Sequence, residues 1–471
     1  MRAIRYRLSI PGYLAARAAG RWLPRLLASG WIPGLAYVTL DPMALPGPEW
    51  VRLRPLLAGI CGSDLALLTG RSSAALSPFT SFPAVLGHEV VARVMETGAA
   101  VPDLAPGQRV VVDPVISCYV RGLEPCPLCR GGRPALCLRA ADGPLAPGML
   151  VGYCRDLPGG WSEEMVVHRS QLHPVPAGLP DPVAVLVEPL SVGLHAVLKL
   201  PPEPQRRVLI LGAGTVGLCV LAGLRLLGLS CHVTVVARHA FQAQVARRLG
   251  ADLVVGEGRQ CPPAAGRSDA IVEGRREPVA GLEPVTGWGS WAGRGAGGAA
   301  VQVAGARPYR PLRGRPVYAG GFDWVYDCVG SASSLDDALR VAGPLGRVVV
   351  VGCAGEVPHL DWTFVWAREL QVVGSYAYGR EPSLDGAPHT FEVALRLLME
   401  RPSYPLAALV THRFPLSRWR EALWAALHRR GRRAKGDRPG QARDGDQNGQ
   451  GSDGAMGTIK VVFACQADAE R

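Results

Sequence analysis

The stretch Arg206–Gly228, RRVLILGAGTVGLCVLAGLRLLG, narrows the possible folds more than any other part of the chain. Val208–Leu211 is an apolar run of strand length, and the residues after Gly217 are apolar over a helix length. Between them stand Gly212, Gly214 and Gly217 in G-x-G-x-x-G spacing. The first glycine permits a tight turn, the second lets backbone approach a pyrophosphate, and the third lets strand and helix pack closely. The helix N-terminus then faces the phosphates. This context predicts a dinucleotide held by Gly212, Gly214, Thr215, Val216 and Gly217. The alternative is a glycine-rich turn in a doubly wound domain with no cofactor. Where a ribose-binding acid would end the second strand, VTVVARH places Ala237, followed by Arg238. A missing carboxylate beside an arginine favours a 2′-phosphate, hence NADP over NAD; the alternative is that Arg238 is a solvated surface residue.

The flanking segments keep the same rhythm. CHVTVVARH is a second strand, FQAQVARRLGAD a helix ending at Gly250, and FDWVYDCVG and GRVVVVGCAG are strands around the helix SLDDALRVAG. Strands alternating with helices imply a parallel α/β sheet. Residues 1–186 differ: WVRLRPLLAGICG, VLGHEVVARVMETG and GQRVVVDPVI are short strand candidates broken by Pro and Gly, which predicts a β-rich domain. A chain of 471 residues suits two such domains. We place the α/β domain at 187–376 and a return to the first domain at 377–471. Residues 258–320 and 429–457, rich in Gly, Pro and Arg, interrupt this pattern and are expected to be poorly ordered insertions, the second preceding a final strand TIKVVFACQ.

The net charge is +12. Much of it lies in those two insertions, and almost all of it is Arg, with Lys only at 199, 435 and 460. A charge that lies largely in low-complexity segments argues against a phosphate-binding face, so no nucleic-acid partner is expected. No uninterrupted apolar run reaches the ~18 residues of a membrane span. Arg17, Arg21 and Arg25 interrupt any apolar stretch of signal-peptide type near the N-terminus, which predicts a cytoplasmic protein.

Twelve cysteines in such a chain are more often metal ligands than disulfides. Cys118, Cys126, Cys129 and Cys137 cluster in a loop rich in Pro and Gly, the last three as C-x2-C-x7-C. Four thiolates close a tetrahedral zinc site with no open position, which makes a structural clip. A second donor set is dispersed: Cys61 in GICGSD, His88 and Glu89 in LGHEV, and Glu188 in LVEPLSVGLHA. A catalytic zinc needs about three protein ligands and an open position, and Cys, His and Glu from separate elements would fit.

These stretches, in this order, resemble the zinc-containing medium-chain alcohol dehydrogenases, especially the sorbitol and threonine dehydrogenase-like branch. GICGSDL, FPAVLGHEVVARV, CPLCRGGRPALC, VLVEPLSVGLHAV, LILGAGTVG and FDWVYDCVGS carry the resemblance. It implies a GroES-like β-rich catalytic domain interrupted by a Rossmann domain, a small alcohol or carbonyl substrate, one catalytic and one structural Zn2+, NAD(P), and a homodimer or homotetramer. By similarity, Cys61 and His88 bind the catalytic zinc, and Glu89 and Glu188 are the carboxylates that coordinate it directly, through water or by exchange. Asp64 orients His88, and Ser63 bonds the substrate hydroxyl and starts a proton relay. Two departures stand out. The extra residues YVRGLEP make Cys118 the least secure structural ligand, and Ala66 stands where many relatives carry a relay histidine. His195, on the Glu188 helix, is read as structural. The alternatives are a non-catalytic NADP-binding protein, a zinc-free reductase of the same superfamily, and a nucleic-acid binder.

Overall fold

The computed structural model describes residues 1–19, 34–256, 305–309, 311–312, 314–428 and 457–465. The glycine-rich turn sits in a six-stranded sheet whose pairs are all parallel. Across the sheet the strands run Leu253–Gly256, His232–Ala237, Arg207–Leu211, Phe322–Asp327, Ala342–Val350 and Gln371–Gly374. This is the 3-2-1-4-5-6 order of a doubly wound nucleotide-binding sheet, whose ligands bind outside the carboxyl ends at the switch point. The strand Arg207–Leu211 is central, and its residues Val208, Leu209 and Ile210 are fully buried, as a strand covered by helices on both faces requires.

The β-rich part is a mixed seven-stranded sheet. Trp50–Gly59 lies near its middle, with Val90–Thr97 antiparallel on one side and Lys460–Ala464 antiparallel on the other. Lys460–Ala464 in turn pairs in parallel with Val410–Pro415. The final strand expected from the sequence therefore closes the sheet that the N-terminal part begins. Helix Val187–Lys199 packs on helix Thr215–Leu226 and on helix Thr390–Glu400, and a single hydrophobic core runs through all three. Gly193 makes the first contact possible, because a Cβ there would stand 2.4 Å from the Cys219 carbonyl carbon.

Two segments depart from expectation. Residues 1–60 hold not only strands but a helix, Ile10–Ala19. Its start is capped by Ser9, whose hydroxyl accepts from the Gly12 N–H at 3.1 Å, with Pro11 in the first turn where its missing N–H costs nothing. The stretch 258–320 ends in an antiparallel hairpin of Arg307–Tyr309 with Val317–Ala319, tied down by Arg315 to Asp336 at 2.7 Å. The rest of the expectation for 258–320, and that for 429–456, lies outside the described residues.

Candidate active site and metal centres

The end of the central strand Trp50–Gly59 delivers Ile60 and then Cys61, which caps the short helix Gly62–Leu68. Asp64 folds back from that helix. One of its carboxylate oxygens accepts from the Cys61 N–H at 2.9 Å, and the other accepts from the Tyr153 hydroxyl at 2.9 Å. The second oxygen also lies 3.5 Å from Nδ1 of His88. Asp64 is fully buried and His88 nearly so. This is the partner expected to orient His88, though Nδ1 makes no well-aligned hydrogen bond to it. Burial disfavours the imidazolium, yet Asp64 and then the Cys61 thiol outweigh burial and hold His88 well above the ordinary histidine range. The pocket is thus built to stabilise positive charge at this point.

Glu188, on the first turn of helix Val187–Lys199, interacts electrostatically with His88. Burial pushes its carboxyl up to about 7, against the opposing pull of His88. Its Oε1 accepts from the Tyr378 hydroxyl at 3.1 Å. Glu89 is differently placed: both its oxygens lie 2.6 Å from Nζ of Lys460, and each of the two side chains is only 2% exposed. Lys460 also donates to the Ile60 carbonyl at 3.3 Å. Glu89 is therefore held in a buried ion pair, whereas Glu188 interacts with His88. Cys61, His88 and Glu188 share this pocket, but their donor atoms do not all close to within 4.8 Å of one another.

Sequence reasoning missed Tyr153, Tyr378 and Lys460, which hold the site's carboxylates, and Cys353 and Tyr376, whose side chains interact electrostatically with His88 and Glu188. Tyr153 faces both Ser63 and Asp64, so a hydroxyl stands close to the serine even though residue 66 is alanine. A lysine in a chain with only three was the one legible signal for Lys460. His195 Nδ1 donates to the Glu381 carboxylate at 2.9 Å, a structural contact.

The four cysteines come together with all sulfurs within 4.8 Å, Cys118 and Cys137 at 3.5 Å. Backbone N–H groups of Cys126 and Arg139 point at the Cys118 and Cys137 sulfurs, each at 3.4 Å. The chemistry and spacing of this donor set fit a tetrahedral zinc with Zn–S of about 2.3 Å. The extra residues YVRGLEP do not displace Cys118. Their Arg121 is buried and donates to the carbonyls of Ala140, Asp142, Leu145, Ala146 and Gly148, so the insertion organises the loop around the cluster.

At the nucleotide turn, Gly212 has φ +96°, and a Cβ on Gly217 would stand 1.9 Å from the Gly212 carbonyl oxygen. Only glycines fit this cradle, which is the shape a pyrophosphate requires. The helix Thr215–Leu226 opens directly from it, and the Thr215 hydroxyl donates to the Ile459 carbonyl at 3.3 Å. Val216 is partly buried beside the same core. Strand His232–Ala237 ends at Ala237, so Arg238 stands where the second strand leaves the sheet.

Residues 47–177 match the alcohol dehydrogenase GroES-like domain and residues 315–400 the zinc-binding dehydrogenase domain. The fold and the two matched domains are those of a medium-chain dehydrogenase, a GroES-like part and a parallel nucleotide-binding sheet. The chain belongs to the zinc-containing medium-chain alcohol dehydrogenase family. It is 27% identical over 397 residues to L-idonate 5-dehydrogenase of Vitis vinifera, covering 83% of this chain and 88% of that one. Sorbitol dehydrogenase of Arabidopsis thaliana is also 27% identical, with the same coverage. Among solved structures, a zinc-binding dehydrogenase of Sinorhizobium meliloti 1021 bound to NADP is 26% identical, with a TM-score of 0.60 over 91% of this chain and 95% of that one. Galactitol-1-phosphate dehydrogenase of Escherichia coli shares the fold at 20% identity and a TM-score of 0.63, over 98% of this chain and 100% of the other.

Proposed function

We propose that this chain is a zinc-dependent dehydrogenase that moves a hydride between an alcohol carbon, in a secondary alcohol or polyol, and a nicotinamide dinucleotide, NADP ahead of NAD. The observation that carries the reading is that Cys61 and Glu188, from separate elements, both act on the buried His88 in a chain that also holds a glycine cradle. Residues 1–186 and 377–471 form the catalytic domain in this reading, and 187–376 the nucleotide-binding domain.

A zinc ion on Cys61, His88 and Glu188 would supply Lewis acidity, lowering the pKa of the substrate hydroxyl. The nicotinamide would take the hydride, with the protein contributing position and electrostatics. Asp64 holds His88 by charge and Cys61 through its N–H. Ser63 accepts the hydroxyl proton while passing its own to Tyr153, which passes one to the Asp64 carboxylate, so the relay needs no histidine at residue 66. Glu89 and Lys460 neutralise each other behind the pocket, which leaves Glu188 as the third ligand. Cys118, Cys126, Cys129 and Cys137 hold the structural zinc. Arg238 reads the 2′-phosphate, and Gly212, Gly214, Thr215, Val216 and Gly217 cradle the pyrophosphate. The thiols of all the described cysteines are free, which supports a reducing cytoplasmic setting. The edge strand Gln371–Gly374, with Val372 and Trp366 exposed, supports a homodimer or homotetramer.

The test is zinc content per chain, wild type beside Cys61→Ala, followed by a panel of polyols and secondary alcohols with NADP and NAD. One zinc per chain fewer in Cys61→Ala than in wild type, with turnover abolished, is the expected result. An unchanged zinc content in Cys61→Ala removes the catalytic-zinc reading.

A further inference from the structure

One donor cluster belongs to neither of these centres. Asp113, His173 and His389 each turn a ligand atom toward the others, all within 4.8 Å. Asp113 follows the strand Arg109–Val112, His173 lies on the strand Leu172–Pro174 opposite Val111, and His389 caps the helix Thr390–Glu400. The three are brought together from separate parts of the chain, so this is not a local charge run.

Asp113 and His389 are each held by hydrogen bonds of their own and turn a second atom to the cluster. Asp113 Oδ1 accepts from the Val115 N–H at 2.9 Å, which leaves Oδ2 for the cluster. His389 Nδ1 accepts from the Phe391 N–H at 3.3 Å and its backbone N–H donates to the Glu392 carboxylate at 3.0 Å, so without a metal the ring proton sits on Nε2, and a cation bound there would displace it. That Nε2 lies 3.4 Å from Asp113 Oδ2. Donor atoms on a tetrahedral zinc with bonds of about 2.0 Å stand roughly 3.3 Å apart, so this pair is already at ligand spacing. Nε2 of His173 is buried and has no hydrogen-bond partner. A buried imidazole nitrogen left unpaired carries a cost that a bound cation would remove.

We propose that Asp113, His173 and His389 form a third site for a zinc-like divalent cation, which ties the strands of the β-rich part to the helix Thr390–Glu400. Two imidazoles and a carboxylate suit a first-row divalent ion and leave a fourth position for water. The histidine rings stack at 4.8 Å with 22° between their planes, so metal binding splays them to converge on one ion. Phe391 packs against both rings and excludes water from one side. Tyr378 packs against His389 and Phe391 and donates to Glu188, so the ion would also brace one wall of the active site.

The full chain is loaded with zinc chloride, dialysed against metal-free buffer and assayed by elemental analysis, wild type beside His173→Gln and Asp113→Asn. The expected result is one zinc per chain fewer in each variant, whatever the count at the other centres. Equal zinc in wild type and in either folded variant overturns the proposal. A second measurement needs no variant: zinc-edge anomalous scattering from zinc-soaked wild-type crystals should give a peak between the three residues, and its absence overturns the site. Neither result depends on Cys61, so failure here is distinct from failure of the dehydrogenase reading.

Discussion

Replacing Lys460 by methionine is the sharpest test of how the active-site carboxylates are managed. The substitution keeps the length and apolar stem of the side chain while deleting its charge. It strands Glu89, which is 2% exposed at its side chain, with neither of its two 2.6 Å contacts. Breaking one partner of a buried pair costs about 3–5 kcal/mol, because the other charge is left uncompensated. Lys460 also pulls the Glu188 carboxyl down, so its loss drives Glu188 further above its present value near 7 and weakens it as a metal ligand at neutral pH. Adding Glu89→Gln removes the orphan charge, and the double variant should recover to within about 1–2 kcal/mol of wild type, far from the sum of the two singles. The assay is urea denaturation of all four proteins, with zinc content measured on each. A cost below about 1 kcal/mol for Lys460→Met, or additive costs in the cycle, would refute a desolvated ion pair at this position.

Three further outcomes follow from other parts of the chain. Cys118→Ala should release the structural zinc and leave the Cys61 zinc in place, read by metal analysis, with a loss of at least about 2 kcal/mol in stability as a closed four-ligand site is opened. Arg238→Glu should reverse the cofactor preference, weakening NADP by at least about tenfold, or ~1.4 kcal/mol, relative to NAD; equal loss for both cofactors would show that Arg238 does not read the 2′-phosphate. Asp327 carries one buried oxygen with no hydrogen-bond partner, and burial raises its carboxyl above the usual range. A raised native pKa means the native state holds its proton longer than the unfolded chain, so Asp327 disfavours folding increasingly as pH rises through that interval. Asp327→Asn should therefore be relatively more stable at pH 8 than at pH 4 when compared with wild type, and a pH-independent difference in urea midpoint would contradict this.

What could be read from the sequence was what lies close along it. The glycine cradle is legible because the positions with no room for a side chain, Gly212 and Gly217, lie within six residues, between a strand and a helix. The cysteine cluster is legible for the same reason. The pairs that hold the catalytic carboxylates are not local: Lys460 lies 371 residues from Glu89, Tyr378 lies 190 from Glu188 and Tyr153 lies 89 from Asp64. No spacing rule reaches across such separations, and a lone tyrosine has no signature that separates a carboxylate's partner from a core ring. The helix Ile10–Ala19 is a different kind of omission. Ser9 and Pro11 mark its start by capping chemistry, but Pro and Gly in IPGY suggest a turn when read without the serine before them.

The strand Lys460–Ala464 fixes when the active site can exist during synthesis. Cys61, His88 and Glu188 leave the ribosome long before Lys460, and until that strand inserts beside Trp50–Gly59 the Glu89 carboxylate has no counter-charge. The same insertion brings the Ile459 carbonyl to the Thr215 hydroxyl at the nucleotide turn. A late strand thus completes both halves of the site at once, so a nascent chain halted before residue 460 would carry every predicted ligand and still lack a finished pocket.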